Sequence, residues 1–258
     1  MSREVVGERR GQALWITVDR PESRNAMTFA MYDRIAELCR EANDDRDVRA
    51  VVLTGAGEAF VAGTDIAQFV EFSTAEQALD YERRMDTWLG AIEDVRVPTI
   101  AALRGAVIGG GLAMAAACDL RIASPSARFG VPVARTLGNC FSAANLVRLG
   151  ALVGIGRVKE LVLTARLIDT HEARGIGLVS EVVQTEESLV PRVDEIVVQL
   201  ASYAPLTLHA TKEMVRRIRA RMLPDEASDL VALCYTSADF REGVRAFIEK
   251  RRPAWRGV

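Results

Sequence analysis

In the run Gly105-Ala106-Val107-Ile108-Gly109-Gly110-Gly111-Leu112-Ala113-Met114-Ala115-Ala116-Ala117-Cys118-Asp119, three contiguous glycines lead into an Ala-rich helix start. A short strand, Pro98-Thr99-Ile100-Ala101-Ala102-Leu103, comes before it, and Cys118-Asp119-Leu120-Arg121-Ile122-Ala123 is strand-like again. Glycine lets a backbone N–H approach a ligand closely, and a helix N-terminus adds a favourable partial charge. No Lys-Ser/Thr pair follows, so the loop is not a Walker A loop, and contiguous glycines do not fit GxGxxG. Taken alone, the run reads first as a tight turn and second as a cradle for a phosphate or a forming oxyanion.

A second small-residue loop lies upstream. Ala50-Val51-Val52-Leu53-Thr54 is an apolar run of the kind found in buried parallel strands, and Ala59-Phe60-Val61-Ala62-Gly63-Thr64-Asp65-Ile66 follows it. Two such loops on adjacent strands can each supply one amide. A thioester carbonyl needs two donors to hold the charge that develops when it becomes an enolate.

The rest of the chain frames these loops. Ala13-Leu14-Trp15-Ile16-Thr17-Val18 reads as a strand ended by Arg20-Pro21. Thr28 is expected to cap a helix that carries Tyr32, Ile35, Ala36 and Cys39 on one face and breaks at Asn43-Asp44-Asp45. A polar helix is expected over residues 74–93. Alternating strands and helices imply an α/β domain. Beyond about residue 195 helices dominate, broken at Pro205, Pro224 and Pro253, with one apolar stripe of Leu206, Met214, Val215 and Ile218 and another of Leu230, Leu233 and Cys234. Such stripes must bury against something. The expected division is a core over residues 1–195 and a C-terminal helical region over 196–258.

Composition narrows the function. The 258 residues suit one generous domain, and a net charge of −2 with no basic stripe argues against nucleic acid. Lys159, Lys212 and Lys250 are the only lysines, so an anionic ligand would mostly meet guanidinium forks. Cys39, Cys118, Cys140 and Cys234 form no CxxC pair and read as reduced thiols, which suits a cytoplasmic protein. The N-terminus has no apolar signal region, and the stretch from Gly105 to Cys118 is too short to span a bilayer. His171 and His209 stand far from both loops, and no metal-ligand cluster is expected.

Several motifs together resemble the enoyl-CoA hydratase/isomerase (crotonase) family. Arg20-Pro21 with Asn25-Ala26-Met27, the loop from Ala59 to Ile66, and Gly105 to Gly111 with Cys118 to Ala123 carry the likeness. Arg128-Phe129-Gly130-Val131-Pro132, Leu163-Thr164-Ala165-Arg166, Gly177-Leu178-Val179 and Glu242-Gly243 with Ala246-Phe247 continue it in order. The resemblance implies a spiral of ββα turns with C-terminal helices that build homotrimers or dimers of trimers. It implies an acyl-CoA substrate, with no cofactor beyond the CoA moiety and no membrane partner. It sets the oxyanion amides at Thr64 and Gly110, and lays CoA along the backbone of Ala62, Thr64, Asp65 and Ile66. Arg24 is then either a partner for a CoA phosphate or a solvated arginine. Lys250 reads as a plain surface lysine before a contact to a neighbouring subunit's CoA. Asp65 and Asp119 are expected to be structural, Asp65 as a cap.

The sequence departs from the family pattern at its acids. Hydratases of the family carry one Glu two residues after the glycine run and another three residues after the Phe-Gly pair; here those positions hold Ala113 and Val133. A positioned acid or base contributes about 10²–10⁴-fold, so ordinary water addition is in doubt. The stretch after Val133 offers Arg135, Asn139 and Cys140. Arg135 is expected in an intramolecular ion pair before a substrate carboxylate, Cys140 as a packed thiol, and Asn139 as a carbonyl donor or a helix cap. Glu71, Tyr81, Glu82 and Asp86, on the helical stretch after Asp65, are alternatives, with a solvated face the default for each. Three functions follow: an enoyl-CoA hydratase or isomerase, a decarboxylase or hydrolase on the same scaffold with Arg135 reading a carboxylate, and a non-catalytic CoA-ester binding protein.

Overall fold

The computed structural model describes residues 4–224 and 227–258. Its strands are β1 (Val5–Arg10), β2 (Ala13–Val18), β3 (Ala50–Gly55), β4 (Thr99–Leu103), β5 (Ala106–Ile108), β6 (Leu120–Ala123), β7 (Arg128–Gly130) and β8 (Glu181–Val182). Helices α1 (Phe29–Asp44), α2 (Ala75–Glu93), α3 (Gly110–Ala117) and α4 (Val133–Thr136) come first. Helices α5 (Ala143–Val153), α6 (Ile155–Thr164), α7 (Thr170–Gly175) and α8 (Leu189–Ala201) follow. The chain ends in α9 (Pro205–Ala220), α10 (Ser228–Tyr235) and α11 (Ala238–Ile248). Thr28 caps α1 through its side chain, as the sequence leads one to expect, and Thr74 does the same for α2.

Strands β1-β2-β3-β4-β6-β8 form one sheet, antiparallel only between β1 and β2. Alternate residues bury on opposite faces, the period-two rule of a pleated strand. Ala13, Trp15, Val52, Ile100 and Ala102 pack under α8 against Leu189, Val193 and Ile196. Ile16, Val51, Leu53, Ala101 and Leu103 face the main core, which holds α1, α2 and α3. Both faces are covered, which is why these strands read as continuous apolar runs. This α/β fold, with a mixed sheet and many helices, is the expected class.

Strands β5 and β7 pair in parallel as a separate two-stranded sheet, so Gly105 to Cys118 is a strand, a turn and a buried helix of eight residues. Among the described residues no helix is long and apolar enough to cross a membrane. The expected boundary at 195/196 falls inside α8, which packs on the sheet. Tyr235 on α10 with Phe240 and Val244 on α11 also join the main core. In the single chain the α9 stripe is not buried: Leu206, Met214, Val215 and Ile218 are all largely exposed, as are Leu230 and Leu233 on α10.

Candidate active site

Hydrogen bonds bring the two small-residue loops together. Phe60 N donates to Arg104 O (2.8 Å), Val61 N to Ala106 O (3.0 Å) and Ile108 N to Val61 O (3.0 Å), so the Ala59–Ile66 loop runs alongside β5. On its other edge Met27 N donates to Gly63 O and Asp65 N to Met27 O, both at 2.8 Å. The residue between two such bonds in a parallel pair turns its own N–H to the opposite side. That residue is Thr64, and its N–H meets no acceptor among the described residues. Gly110 N, at the first turn of α3, is likewise without an acceptor, as first-turn amides of a helix are unless something caps them.

The glycines that precede these amides explain the aim. Gly63 has φ +117° and Gly109 φ +53°, values that side-chain-bearing residues rarely adopt. Each turns the next peptide over, so the N–H of Thr64 and of Gly110 leaves its strand direction. A methyl group added to Gly110 would lie 3.7 Å from Thr64 N, which shows how closely the two backbones approach. The Thr64 hydroxyl is held by the phenols of Tyr32 (3.0 Å) and Tyr81 (3.1 Å). Burial pushes both phenols above their ordinary pKa, so they stay neutral hydrogen-bonding groups.

Thr64 and Gly110 border a cavity of about 490 Å³. Arg24, Ala62, Asp65 and Ile66 also line it, so all six expected site residues fall on one cavity. Their free groups differ from one another. Ala62 N is already used by Arg24 O (3.1 Å) and Asp65 N by Met27 O, which leaves Thr64 N as the unused donor of that loop. Asp65 caps the following turn through Ala67 N and pairs with Arg20 at 2.6 Å, the structural role expected of it. Asp119 is structural too, bound to Thr99 and to Lys212. Arg24 is exposed and forms no ion pair with the described residues, leaving its guanidinium available.

The chain is similar to several known proteins along nearly its whole length. Residues 8–258 fit the family model described as enoyl-CoA hydratase/isomerase. A short-chain-enoyl-CoA hydratase of Clostridium acetobutylicum is 35% identical over 252 residues, covering 96% of this chain and 95% of its own. A crotonyl-CoA hydratase of Syntrophomonas wolfei is also 35% identical, covering 96% of each chain. The crystal structure of an enoyl-CoA hydratase from Mycobacterium avium subsp. paratuberculosis superposes with a TM-score of 0.85 at 26% identity, covering 98% of both chains. The chain belongs to the enoyl-CoA hydratase/isomerase family.

It is an enzyme of that family, and its remaining cavity wall corrects several expectations. Ala113 is fully buried in α3, and Val133 lines the cavity. Arg135 is exposed on α4, pairs with no described carboxylate and does not border the cavity, so the expected ion pair is absent. Asn139 lines the cavity and is not the cap of α5, a place taken by Ser142; its amide donates to Tyr235 Oη at 3.1 Å. Its own carbonyl oxygen is buried without a partner. Cys140 lines the wall as a thiol whose pKa burial drives well up, the inert state expected. His171 is on α7 and His209 on α9, and neither borders the cavity.

The solvated-face expectation holds for exposed Glu71 but not for its neighbours. Asp86 is tied to Arg148 at 3.1 Å. Tyr81 and Glu82 are buried, 7% and 8% exposed, and both line the cavity. Tyr235 Oη donates to Glu82 Oε1 at 2.7 Å. Burial is the largest influence on Glu82 and lifts its carboxyl to about 7; the Tyr235 hydrogen bond opposes this and Asp86 adds to it. Spacing carried a signal for this residue: Ala78, Glu82, Met85, Leu89 and Ile92 fall on one helical stripe, and four of the five are apolar.

Proposed function

We propose that the enzyme binds an acyl-CoA with its thioester carbonyl between the amides of Thr64 and Gly110, which hold the enolate oxygen as it forms. The observation that carries this reading is the pair of acceptor-free N–H groups, one from each glycine-turned loop, on one cavity. Such preorganised donors stabilise charge that develops during reaction, each worth about 10²–10³ in rate. CoA lies along the Ala62–Ile66 loop, with Arg24 toward a phosphate, and no group beyond the CoA moiety is needed. The chemistry is of the enoyl-CoA hydratase or isomerase type, without the two glutamates whose places Ala113 and Val133 take. Four free thiols suit a cytoplasmic site of action. A decarboxylase or hydrolase that uses Arg135 finds no support, because Arg135 lies outside the cavity.

Gly110→Pro removes the N–H and, at the first position of α3, leaves the helix able to form. Turnover of enoyl-CoA esters should fall at least about 10²-fold. Gly110→Ala keeps the N–H, adds bulk beside Tyr32 and Thr64, and separates crowding from loss of the donor. Full activity in Gly110→Pro, with an intact thermal melt, removes the assignment. Tight CoA-ester binding by the native protein with no turnover of any ester would instead identify a binding protein.

The exposed stripes on α9 and α10 favour self-association as a homotrimer or a dimer of trimers. Light scattering should then return a trimer's or hexamer's mass rather than the 28.2 kDa of one chain. A single-chain mass at micromolar concentration argues against it.

A further inference from the structure

We infer that Glu82 is the proton-carrying catalytic residue of this cavity, and that its substrate class is a 3-enoyl-CoA whose double bond it moves to the 2-position. The inference rests on the reading of Thr64 and Gly110 as donors to the thioester carbonyl, and adds the group that works on the acyl chain.

Among the described residues, two carboxyl side chains border the cavity, those of Asp65 and Glu82. Asp65 is committed to Arg20 and to Ala67 N. Glu82 has no ion pair with any described residue and is held by neutral groups alone. Hydrogen bonds in one direction orient it: Asn139 Nδ2 donates to Tyr235 Oη, and Tyr235 Oη donates to Glu82 Oε1. A carboxylate accepts in that arrangement, so Glu82 is presented as a base, with Oε2 left outside the Tyr235 bond. Tyr81, the residue before Glu82, holds the Thr64 hydroxyl, so α2 carries the carboxyl next to the residue that steadies the carbonyl site.

The chemistry closes on a single carboxyl. Glu82 takes a proton from C2 of the 3-enoyl thioester. The C–H electron pair becomes the C1–C2 double bond of a dienolate, and the carbonyl electrons move onto the oxygen held by the two amides. The dienolate then takes the same proton back from Glu82 at C4: the C3–C4 π pair forms the new C–H bond, the C1–C2 pair becomes the C2–C3 double bond, and the electrons on the oxygen reform the carbonyl. No water, oxidant or second acid enters. Hydration needs both activation of water and protonation of carbon, the work for which the family's hydratases carry two glutamates.

The surroundings suit a base that gains and loses a proton near neutrality. Tyr81 and Asp86 flank it on α2, Tyr32 faces it from α1 and Tyr235 from α10. Cys140 and Ser142 approach from the segment before α5. The three phenols and the thiol are pushed upward and stay neutral, and the charge of Asp86 is met by Arg148. The carboxyl itself is lifted to about 7.

The test uses the full-length enzyme with 3-hexenoyl-CoA, following formation of 2-hexenoyl-CoA, with crotonyl-CoA hydration measured beside it. The native enzyme should isomerise 3-hexenoyl-CoA, with kcat/KM rising with pH through about 7 as Glu82 loses its proton. Glu82→Gln keeps an acceptor for Tyr235 and should lower kcat by about 10²–10⁴ with KM little changed; Glu82→Asp should recover part of it. Tyr235→Phe removes a bond that favours the carboxylate, so the rising limb should move to higher pH, which a purely structural tyrosine would not cause. If Glu82→Gln turns over at the native rate while Gly110→Pro is inactive, Glu82 is not the proton carrier and the carbonyl reading stands. If Gly110→Pro is fully active, the underlying reading fails instead. A native enzyme that leaves 3-hexenoyl-CoA unchanged, or hydrates crotonyl-CoA faster than it isomerises, overturns the substrate class.

Discussion

Asn25→Ala should destabilise the protein by about 3–5 kcal/mol, a larger loss than any surface substitution would cause. Asn25 is fully buried, and its side chain ties three backbone groups together. Its Nδ2 donates to Ala56 O (2.9 Å) and Ala59 O (2.7 Å), and its Oδ1 accepts from Arg20 N (2.9 Å). Alanine removes all three bonds and leaves carbonyls in an interior with no replacement donor, at about 1–3 kcal/mol for each group left unpaired. The backbone adds to the loss. Asn25 sits at φ +58°, a left-handed conformation that asparagine tolerates and alanine resists. At about 2–4 °C per kcal/mol the melting temperature should drop by roughly 10 °C. The loop that ends in Thr64 starts at the carbonyls Asn25 holds, so loss of CoA-ester affinity should accompany the loss of stability. A change below about 1 kcal/mol in urea unfolding would show that water replaces the asparagine without penalty.

The sequence revealed the two loops because their chemistry is carried by backbone, and backbone demands leave residue types behind. Gly63 and Gly109 are glycines since the chain turns there through positive φ, and Asn25 is an asparagine for a related reason. Strands β2, β3 and β4 were legible as apolar runs because both of their faces are covered. Strand β1 left no such trace: only Val5 is buried, and Gly7 to Arg10 lie along an exposed edge. Strands β5 and β7 have three residues each, too few for a period to show.

Glu82 was harder to place, for a physical reason. Its neighbours Asp80, Arg83, Arg84 and Asp86 are charged, so the segment reads as a solvated face. The apolar stripe it shares marks its burial, but its partner Tyr235 lies 153 residues later in the chain, and no local pattern encodes so distant a contact. The Asn139–Tyr235 hydrogen bond spans 96 residues and was equally hidden. The α9 and α10 stripes illustrate the converse. Their period was plain, but within one chain no described residue covers them.

The burial of Glu82 carries a stability cost, and this gives a second large effect, opposite in sign to the first. Glu82→Gln should make the protein more stable at pH 8 by about 3 kcal/mol. The carboxyl rises from an ordinary 4.5 to about 7 on folding, and each pH unit corresponds to about 1.36 kcal/mol. The sign follows from which state holds the proton more tightly. The folded protein does, so the neutral acid is fully accommodated below pH 4.5. Stability drains away as pH rises toward 7, because the ionised group loses its hydration in the fold. Above pH 7 the whole penalty is in place. Glutamine does not titrate, and its carbonyl still accepts from Tyr235, so the substitution removes the penalty and keeps the hydrogen bond. The gain in unfolding free energy should therefore be small near pH 5 and approach its full value by pH 8, read from urea denaturation across that range. A structural glutamate would behave the other way, and its replacement would weaken the fold at every pH. A variant that is more stable and far less active at pH 8 is what a carboxyl kept at a cost for proton transfer requires. A variant that is less stable at pH 8 would mean that Glu82 is held by interactions worth more than its burial costs, and would remove the physical basis for treating it as a base.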